Sequence, residues 1–289
     1  MDLRALLMGL AFAAMWSSAF TSARIIVAAA PPLLALGLRF LLSGLIAVAL
    51  ARLMGQSWRL TRAQWRATVI FGICQNALYL GLNFVAMQTI EASLAAIIAS
   101  TMPLMVALAS WLLLGEKIRP LGLAGLVAGF AGVAIIMGAR LGGAGVGPGI
   151  ALCMGGVLAL TAATLSVRGA ISGGNFLMVV GLQMLVGSAV LLPVSLGFER
   201  LTIDWSAELV LAFLYTTLVP GLLATVAWFW LVNRIGAVRA ATFHFLNPFL
   251  GVAIAALVLG EALGARDILG VAVIAGGILA VQLARFDRK

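Results

Sequence analysis

The sequence predicts an all-α integral membrane protein with ten transmembrane helices, arranged as two inverted repeats of five helices each. Three observations predict it: an apolar composition, apolar runs of about 20 residues, and a resemblance between residues 92–137 and 237–282. Of the 289 residues, 64% are hydrophobic and 9% are charged, whereas soluble domains carry about 25% charged residues. Because so few charges cannot cover a surface in water, most of the chain is expected to face lipid.

Apolar runs long enough to cross a hydrocarbon core about 30 Å thick follow one another along the whole chain. They place the spans at residues 5–27, 32–53, 66–87, 92–114, 120–139, 148–167, 175–196, 208–232, 237–259 and 267–284. Turn residues mark the joins between them, as at Pro31-Pro32 and Gly142-Gly143. No stretch between the spans is long enough to form a water-soluble domain.

The basic residues lie in the short loops and predict the topology. If the N-terminus is cytoplasmic, thirteen Lys and Arg face the cytoplasm, four face the other side, and Arg39 lies inside a span. Because cytoplasmic loops are rich in positive charge, both termini are expected in the cytoplasm, with the chain in the plasma (inner) membrane. Charges scattered in this way do not form a nucleic-acid surface, although the net charge is +9.

The repeat is visible at a constant shift of 145 residues, where rare residues match as well as common ones. The shift carries Pro103 onto Pro248, Gly115-Glu116 onto Gly260-Glu261, and Gly125 and Gly132 onto Gly270 and Gly277. Five spans per repeat is an odd number, so residues 1–143 and 144–289 are predicted to have opposite orientations. Many carriers place their site between such repeats. The alternative is a duplicated membrane scaffold without a transport role.

These motifs resemble those of the EamA family of the drug/metabolite transporter superfamily. The resemblance rests on Pro103–Lys117, on its second copy Pro248–Glu261, and on Met15–Phe20 and Leu38–Phe40 in the first two spans. It covers nearly the whole chain and implies ten spans, a central cavity and export of metabolites. Within the family the chain looks most like the YddG-type amino-acid exporters.

Polar residues in the third span are candidates for substrate binding. Asn76, Tyr79 and Asn83 are spaced i, i+3 and i+7, which predicts a shared helical face, and Gln75 adjoins them. Amide and phenol groups on a cavity wall bind the carboxylate or ammonium of a substrate. The alternative is that these groups join neighbouring helices.

Further substrate-binding candidates lie in other spans: Trp16, Ser17, Arg39, Ser100, Trp228, His244 and Asn247. For the two tryptophans the alternative is an anchor at the membrane interface. For the single histidine it is a hydrogen-bonded core position. Arg39 lies about 10 Å into the second span at about 1.5 Å per residue, so its guanidinium either binds a substrate carboxylate or extends to the interface.

Three prolines within predicted spans are candidate hinges: Pro103, Pro248 and Pro220. Proline removes a backbone donor and weakens the local helix ladder. The alternative for each is a static kink.

The sequence thus predicts a carrier that exports small metabolites, most of all amino acids including aromatic or other apolar ones, by alternating access. Facilitated diffusion is expected, because all nine Asp and Glu lie in loops or at span ends. Alternatives are a lipid or polyprenyl-carrier translocase, a proton-coupled drug exporter and an intramembrane enzyme. No ATP-binding motif is present, and one His with two separated Cys cannot build a zinc site, so a non-enzyme without metal or cofactor is expected. A monomer is one possible state of the protein.

Overall fold

The computed structural model describes residues 3–140, 146–166, 175–236, 240 and 242–286, and all regular secondary structure within these ranges is helical. In chain order the elements are α1 (Leu3–Ala29), α2 (Pro32–Leu53), α3 (Arg62–Phe71), the π-helix π1 (Gly72–Tyr79), α4 (Leu80–Ala86), α5 (Ala92–Ser100), α6 (Met102–Leu114), α7 (Pro120–Arg140), α8 (Val146–Ser166), α9 (Phe176–Phe198), α10 (Ala207–Leu218), the π-helix π2 (Val219–Leu223), α11 (Ala224–Ile235), a 3-10 helix (Phe243–Leu246), α12 (Asn247–Leu259) and α13 (Ala265–Phe286).

Within the described ranges, eight helices are long and apolar enough to cross a membrane. They coincide with the predicted spans one to four, six to eight, and ten. The fifth and ninth predicted spans coincide with shorter apolar helices, Pro120–Ile136 and Phe243–Leu259. The prediction of an all-helical, multi-pass membrane protein is confirmed, and the count of ten spans stays a prediction.

Two spans change from α-helix to π-helix near their middle. The third span runs through α3, π1 and α4, and the eighth runs through α10, π2 and α11. The shift of 145 residues carries positions 74–78, inside π1, onto π2. Because π-helices are rare and are frequent at functional sites, their presence at matched positions directs attention to these two spans.

The matched prolines lie at the starts of helices. α6 begins at Met102 and α12 at Asn247, so Pro103 and Pro248 each occupy the second helical position. A proline in the first turn removes no intrahelical hydrogen bond, because those N–H groups have no acceptor within the helix. The helical ladder is thus already interrupted beside each proline, and a hinge at these positions stays a prediction.

The same two helices also end alike. Gly115 and Gly260 follow α6 and α12 with φ of +66° and +67°, in the left-handed region that glycine adopts without strain. Matched helix starts and matched helix ends extend the repeat from sequence to conformation.

The described helices form two compact units, and each combines segments from both halves of the sequence. Unit 1 contains residues 1–21, 89–150 and 223–289, and unit 2 contains residues 22–88 and 151–222. A compact unit is a property of packing, whereas a repeat is a relation in sequence. The division at residues 143 and 144 and the inverted orientation therefore stay predictions.

In unit 1, α7 and α13 approach closely through glycines. A Cβ on Gly277 would lie 2.6 Å from the carbonyl oxygen of Gly125, and one on Gly132 would lie 2.8 Å from that of Gly270. The shift of 145 matches Gly125 with Gly270 and Gly132 with Gly277, so both helices use the same two repeat positions. Small residues allow such backbone contact between membrane helices.

In unit 2 the corresponding close pair is α2 and α9. A Cβ on Gly44 would lie 3.0 Å from the carbonyl oxygen of Gly181, and one on Gly181 would lie 2.9 Å from the nitrogen of Val48. Each unit therefore contains a pair of helices in backbone contact.

A loop carboxylate caps the start of a helix in each unit. Glu261 accepts the backbone N–H groups of Ala92 and Ser93, at 2.8 and 3.0 Å, where α5 begins. Glu199 accepts those of Leu33 and Leu34, at 2.9 and 3.0 Å, where α2 begins. A negative charge at a helix N-terminus satisfies free donors and interacts favourably with the helix dipole.

Candidate functional site

Unit 1 contains an aromatic cluster made of Phe12, Trp16, Trp228 and His244. The Phe12 ring lies at its centre, with centroid distances of 4.8 Å to Trp228, 5.4 Å to His244 and 5.8 Å to Trp16. The His244 ring is 5.2 Å from Trp228 and 6.4 Å from Trp16. Phe12 is buried, whereas the other three rings are partly exposed, so the cluster presents ring surface beyond its own contacts.

Three helical segments supply these rings. Phe12 and Trp16 are four residues apart in α1 and so share one face. Trp228 comes from α11 and His244 from the 3-10 helix before α12. α1 can approach the 3-10 helix because Gly9 has no side chain. A Cβ at this position would overlap the ring of Phe243.

The cluster has a polar edge at Asn247. The Asn247 amide Nδ2 donates to His244 Nδ1 at 2.9 Å, which leaves the other ring nitrogen of His244 to carry the proton. The Asn247 Oδ1 atom is buried and has no hydrogen-bond partner in the described part of the chain. Ser17, which is buried, donates to the backbone oxygen of Asn247 at 3.4 Å.

This combination of groups suits an amphipathic molecule. Ring faces take up an apolar or aromatic body by stacking, and they attract a cation through their negative faces. The unpartnered Asn247 oxygen is an acceptor that suits an ammonium or another donor. Three of the four rings, all but Phe12, were predicted from the sequence as substrate-binding candidates, and so were Ser17 and Asn247 at the polar edge.

In unit 2, Arg39 is buried, with 6% of its surface exposed. Its Nε–H donates to the backbone oxygen of Thr216 at 3.1 Å. Pro220 lies four residues after Thr216 and has no N–H, so Arg39 supplies the donor that an α-helix would have given this carbonyl. Arg39 thus lies between helices, which does not fit the alternative of a side chain extended to the interface.

In the third span, one polar side chain joins two helices and another has an acceptor atom without a partner in the described ranges. Asn76 donates to the backbone oxygen of Gln183 in α9 at 2.9 Å, so it joins two helices. Asn83 donates to the backbone oxygen of Tyr79 at 2.7 Å, and its Oδ1 is buried without a partner in the described ranges. Gln75 is partly buried. Asn76 and Tyr79 lie in π1, where bonds run from i to i+5, so α-helical spacing does not describe their face.

Ser100 is buried at the end of α5 and donates to the backbone oxygen of Ile97 at 2.7 Å, within its own helix. A substrate contact for Ser100, Gln75, Asn76, Tyr79 or Asn83 stays a prediction.

Sequence reasoning missed Phe12, Ser43 and Thr216. Phe12 precedes Trp16 by one helical turn, and this i, i+4 aromatic pair was the signal that would have found it. Ser43 follows Arg39 by one turn and donates to the backbone oxygen of Thr217 at 3.2 Å. Thr216 contributes its backbone carbonyl. The only sequence signal for this carbonyl is Pro220, four residues later, which cannot donate to it.

Within the described ranges, no three His, Cys, Asp or Glu side chains are grouped closely enough to hold a metal ion. Cys74 and Cys153 are free thiols inside helices.

A family model described as the EamA-like transporter family matches the chain twice, over residues 3–138 and 147–283. The uncharacterized inner membrane transporter YedA of Escherichia coli (strain K12) is 29% identical over 279 residues, which cover 94% of this chain and 88% of that protein. The aromatic amino acid exporter YddG of Ancylobacter novellus is 33% identical over 120 residues, 42% of each chain. A solved crystal structure with 22% identity superposes over 100% of both chains with a TM-score of 0.70, which shows the fold alone.

Proposed function

Because the chain belongs to the EamA-like transporter family, we propose that it is a carrier that exports small metabolites, above all amino acids with aromatic or other apolar side chains. The observation that supports this substrate class is the aromatic cluster with the unpartnered Asn247 oxygen at its edge. The partial similarity to an aromatic amino acid exporter agrees with it.

The free energies of these contacts favour an amino acid over a purely apolar molecule. One aromatic pair contributes about 0.5–1.5 kcal/mol beyond its buried area, which holds a ring but does not orient it. A buried acceptor left without a donor costs about 1–3 kcal/mol, and a substrate ammonium would recover that free energy. Rings and acceptor together therefore select a molecule with an apolar body and a donor group.

Transport is proposed to occur by alternating access in the plasma (inner) membrane, with both termini in the cytoplasm and flux down the substrate's own gradient. The excess of Lys and Arg in the predicted cytoplasmic loops supports the orientation. The placement of all nine Asp and Glu in loops or at the ends of the predicted spans supports facilitated diffusion, with coupling through His244 as the weaker option.

The test is flux into proteoliposomes that contain the purified protein. Trp228→Ala is expected to lower the flux of L-phenylalanine at subsaturating concentration about tenfold, the effect of losing one ring contact of about 1.4 kcal/mol. Trp205→Ala is the matched control, because Trp205 is 76% exposed and lies outside the cluster.

A panel of amino acids and a fluorescent phospholipid probe are measured in the same vesicles. Protein-dependent movement of the lipid probe without flux of any amino acid would overturn the proposal in favour of a lipid translocase. Equal losses in the Trp228 and Trp205 variants would remove the aromatic cluster from the substrate site.

A further inference from the structure

Arg39 carries a positive charge at a buried position, with 6% of its surface exposed. Its Nε–H donates to a neutral carbonyl, that of Thr216, and its guanidinium carbon lies 5.0 Å from the centroid of the Phe40 ring. Within the described part of the chain, it makes no ion pair with an Asp or Glu. A charged side chain inside a membrane is costly and in most cases pairs with a group of opposite charge or lines a functional path.

The bond to Thr216 does not require a charged donor. The carbonyl of the next residue, Thr217, accepts a hydrogen bond from the neutral hydroxyl of Ser43. A neutral side chain at position 39 could satisfy the Thr216 carbonyl in the same way, at a lower cost of desolvation. The charge of Arg39 is therefore unexplained by the packing of α2 against α10 and π2.

The terminal nitrogens of Arg39 lie beside Gly221. A guanidinium has five N–H donors, and the bond to Thr216 uses only the one on Nε. A Cβ on Gly221 would lie 3.4 Å from Arg39 Nη2 and 3.3 Å from Ser43 Oγ. A side chain at position 221 would extend toward this terminal nitrogen, so the glycine leaves room for the guanidinium beside π2.

We propose that the two terminal nitrogens of Arg39 bind the carboxylate of the transported substrate. The planar fork of a guanidinium matches the two oxygens of a carboxylate, and such charge-assisted pairs are among the strongest hydrogen bonds in proteins. This inference rests on the proposed transport function and narrows its substrate class to carboxylates.

A lipid phosphate offers the same anionic oxygens but fits the position less well. Arg39 lies seven residues after Pro32, where α2 begins, which is about 10 Å along the helix at about 1.5 Å per residue. Lipid phosphates lie in the headgroup layer outside the hydrocarbon core, whereas a mobile carboxylate can reach this depth.

The first experiment measures thermal unfolding of the purified full chain in neutral detergent with sodium benzoate or with its neutral isostere benzamide. Benzoate should raise the unfolding temperature of the wild type in a saturable way, and benzamide should not. Arg39→Gln should abolish the benzoate effect. Arg66→Gln, which removes an exposed cation in the same unit, should retain it.

The second experiment compares flux of L-phenylalanine with that of L-phenylalaninamide in proteoliposomes. Arg39→Gln should reduce the acid-to-amide flux ratio at least about tenfold, as expected for losing a buried charge-assisted pair. If that variant does not fold, Arg39→Lys keeps the charge without the fork and should also reduce the ratio.

An unchanged flux ratio together with an unchanged benzoate effect in the Arg39 variants would overturn the proposal. So would an unfolding temperature that responds to phosphatidylglycerol through Arg39 but not to benzoate, because the anion would then be a lipid. Absence of flux in the wild type would count against the transport function, and the benzoate experiment would still decide whether Arg39 binds carboxylates.

Discussion

At the scale of single residues, buried polar atoms without partners mark where this chain departs from ordinary packing. In the described ranges they are Thr21 Oγ1, Asn83 Oδ1, Ser93 Oγ and Asn247 Oδ1. Each such atom costs about 1–3 kcal/mol of stability unless water or a ligand supplies a donor. Asn83 and Asn247 belong to the substrate-binding residues that the sequence predicts, and the excess charge of Arg39 is a third signal of the same kind.

The sequence identifies which polar residues lie in spans but not what they contact. Asn76 and Asn247 are both amides in predicted spans, yet Asn76 bonds the backbone of α9 whereas Asn247 keeps a free acceptor beside the aromatic cluster. The difference depends on which helix lies opposite, and this is set by tertiary packing that local periodicity does not report.

Two adjacent glycines in α13 provide a matched test of packing. Gly277→Ala should destabilise the protein by about 1–3 kcal/mol, because its Cβ would lie 2.6 Å from the backbone of α7 and overpack the contact. Gly276→Ala should be neutral or stabilising by up to about 1 kcal/mol, because no atom lies within 4 Å of its Cβ and alanine favours helix. Thermal unfolding in detergent measures both, and equal effects of the two variants would contradict the close contact of α7 with α13.

At the scale of elements, apolar runs located the helices well because span length is set by the bilayer. The predicted second span, 32–53, coincides with α2, and the predicted seventh, 175–196, differs from α9 by one residue at its start and two at its end. The interruptions were harder to foresee. Pro220-Gly221 signals the break at π2, but Gly72–Tyr79 contains no proline, so π1 had no local sequence signal.

The two π-helices, which interrupt the third and eighth spans, are the elements most relevant to transport. The two π-helices lie at equivalent repeat positions, and Pro220 inside π2 lacks the N–H that an α-helix would give to the Thr216 carbonyl, which Arg39 binds. A π-helix offers an exposed backbone group without ending the helix, so a span can present a polar contact while its flanks stay apolar.

At the scale of the whole molecule, the two compact units could not be deduced from the sequence, because each draws helices from both halves. Repeat detection finds equivalent helices, but it does not say which of them pack together. The topology, in contrast, follows from a rule about loops and can be tested without knowing the packing.

The topology prediction is that both termini are cytoplasmic. In a background with Cys74 and Cys153 replaced by alanine, Leu201→Cys should react with an impermeant thiol reagent added outside intact cells. Thr61→Cys and Lys117→Cys should react only after the membrane is opened. Labelling of position 61 or 117 in intact cells would contradict the orientation.

The last prediction concerns energy coupling. Proton-driven carriers commonly use a carboxylate within the membrane as a relay. In the described ranges, the acids that lie within helices are first-turn residues such as Glu208 and Asp267. Glu261, which follows the end of α12, is engaged in capping α5, and Asp267 accepts the N–H of Gly264 at 3.0 Å. These bonds give the carboxylates a structural role that does not require proton transfer.

Flux in inside-out vesicles should therefore equilibrate the substrate across the membrane without a pH gradient, and a protonophore should leave its rate unchanged. Concentrative uptake that needs an imposed pH gradient and stops when the gradient is collapsed would contradict facilitated diffusion. In that case His244→Ala and Glu261→Gln would identify the relay. The Glu261 variant also loses the charge that caps α5, which should lower the free energy of unfolding by about 1 kcal/mol. Its unfolding temperature would therefore show whether a loss of flux comes from lost coupling or from lost stability.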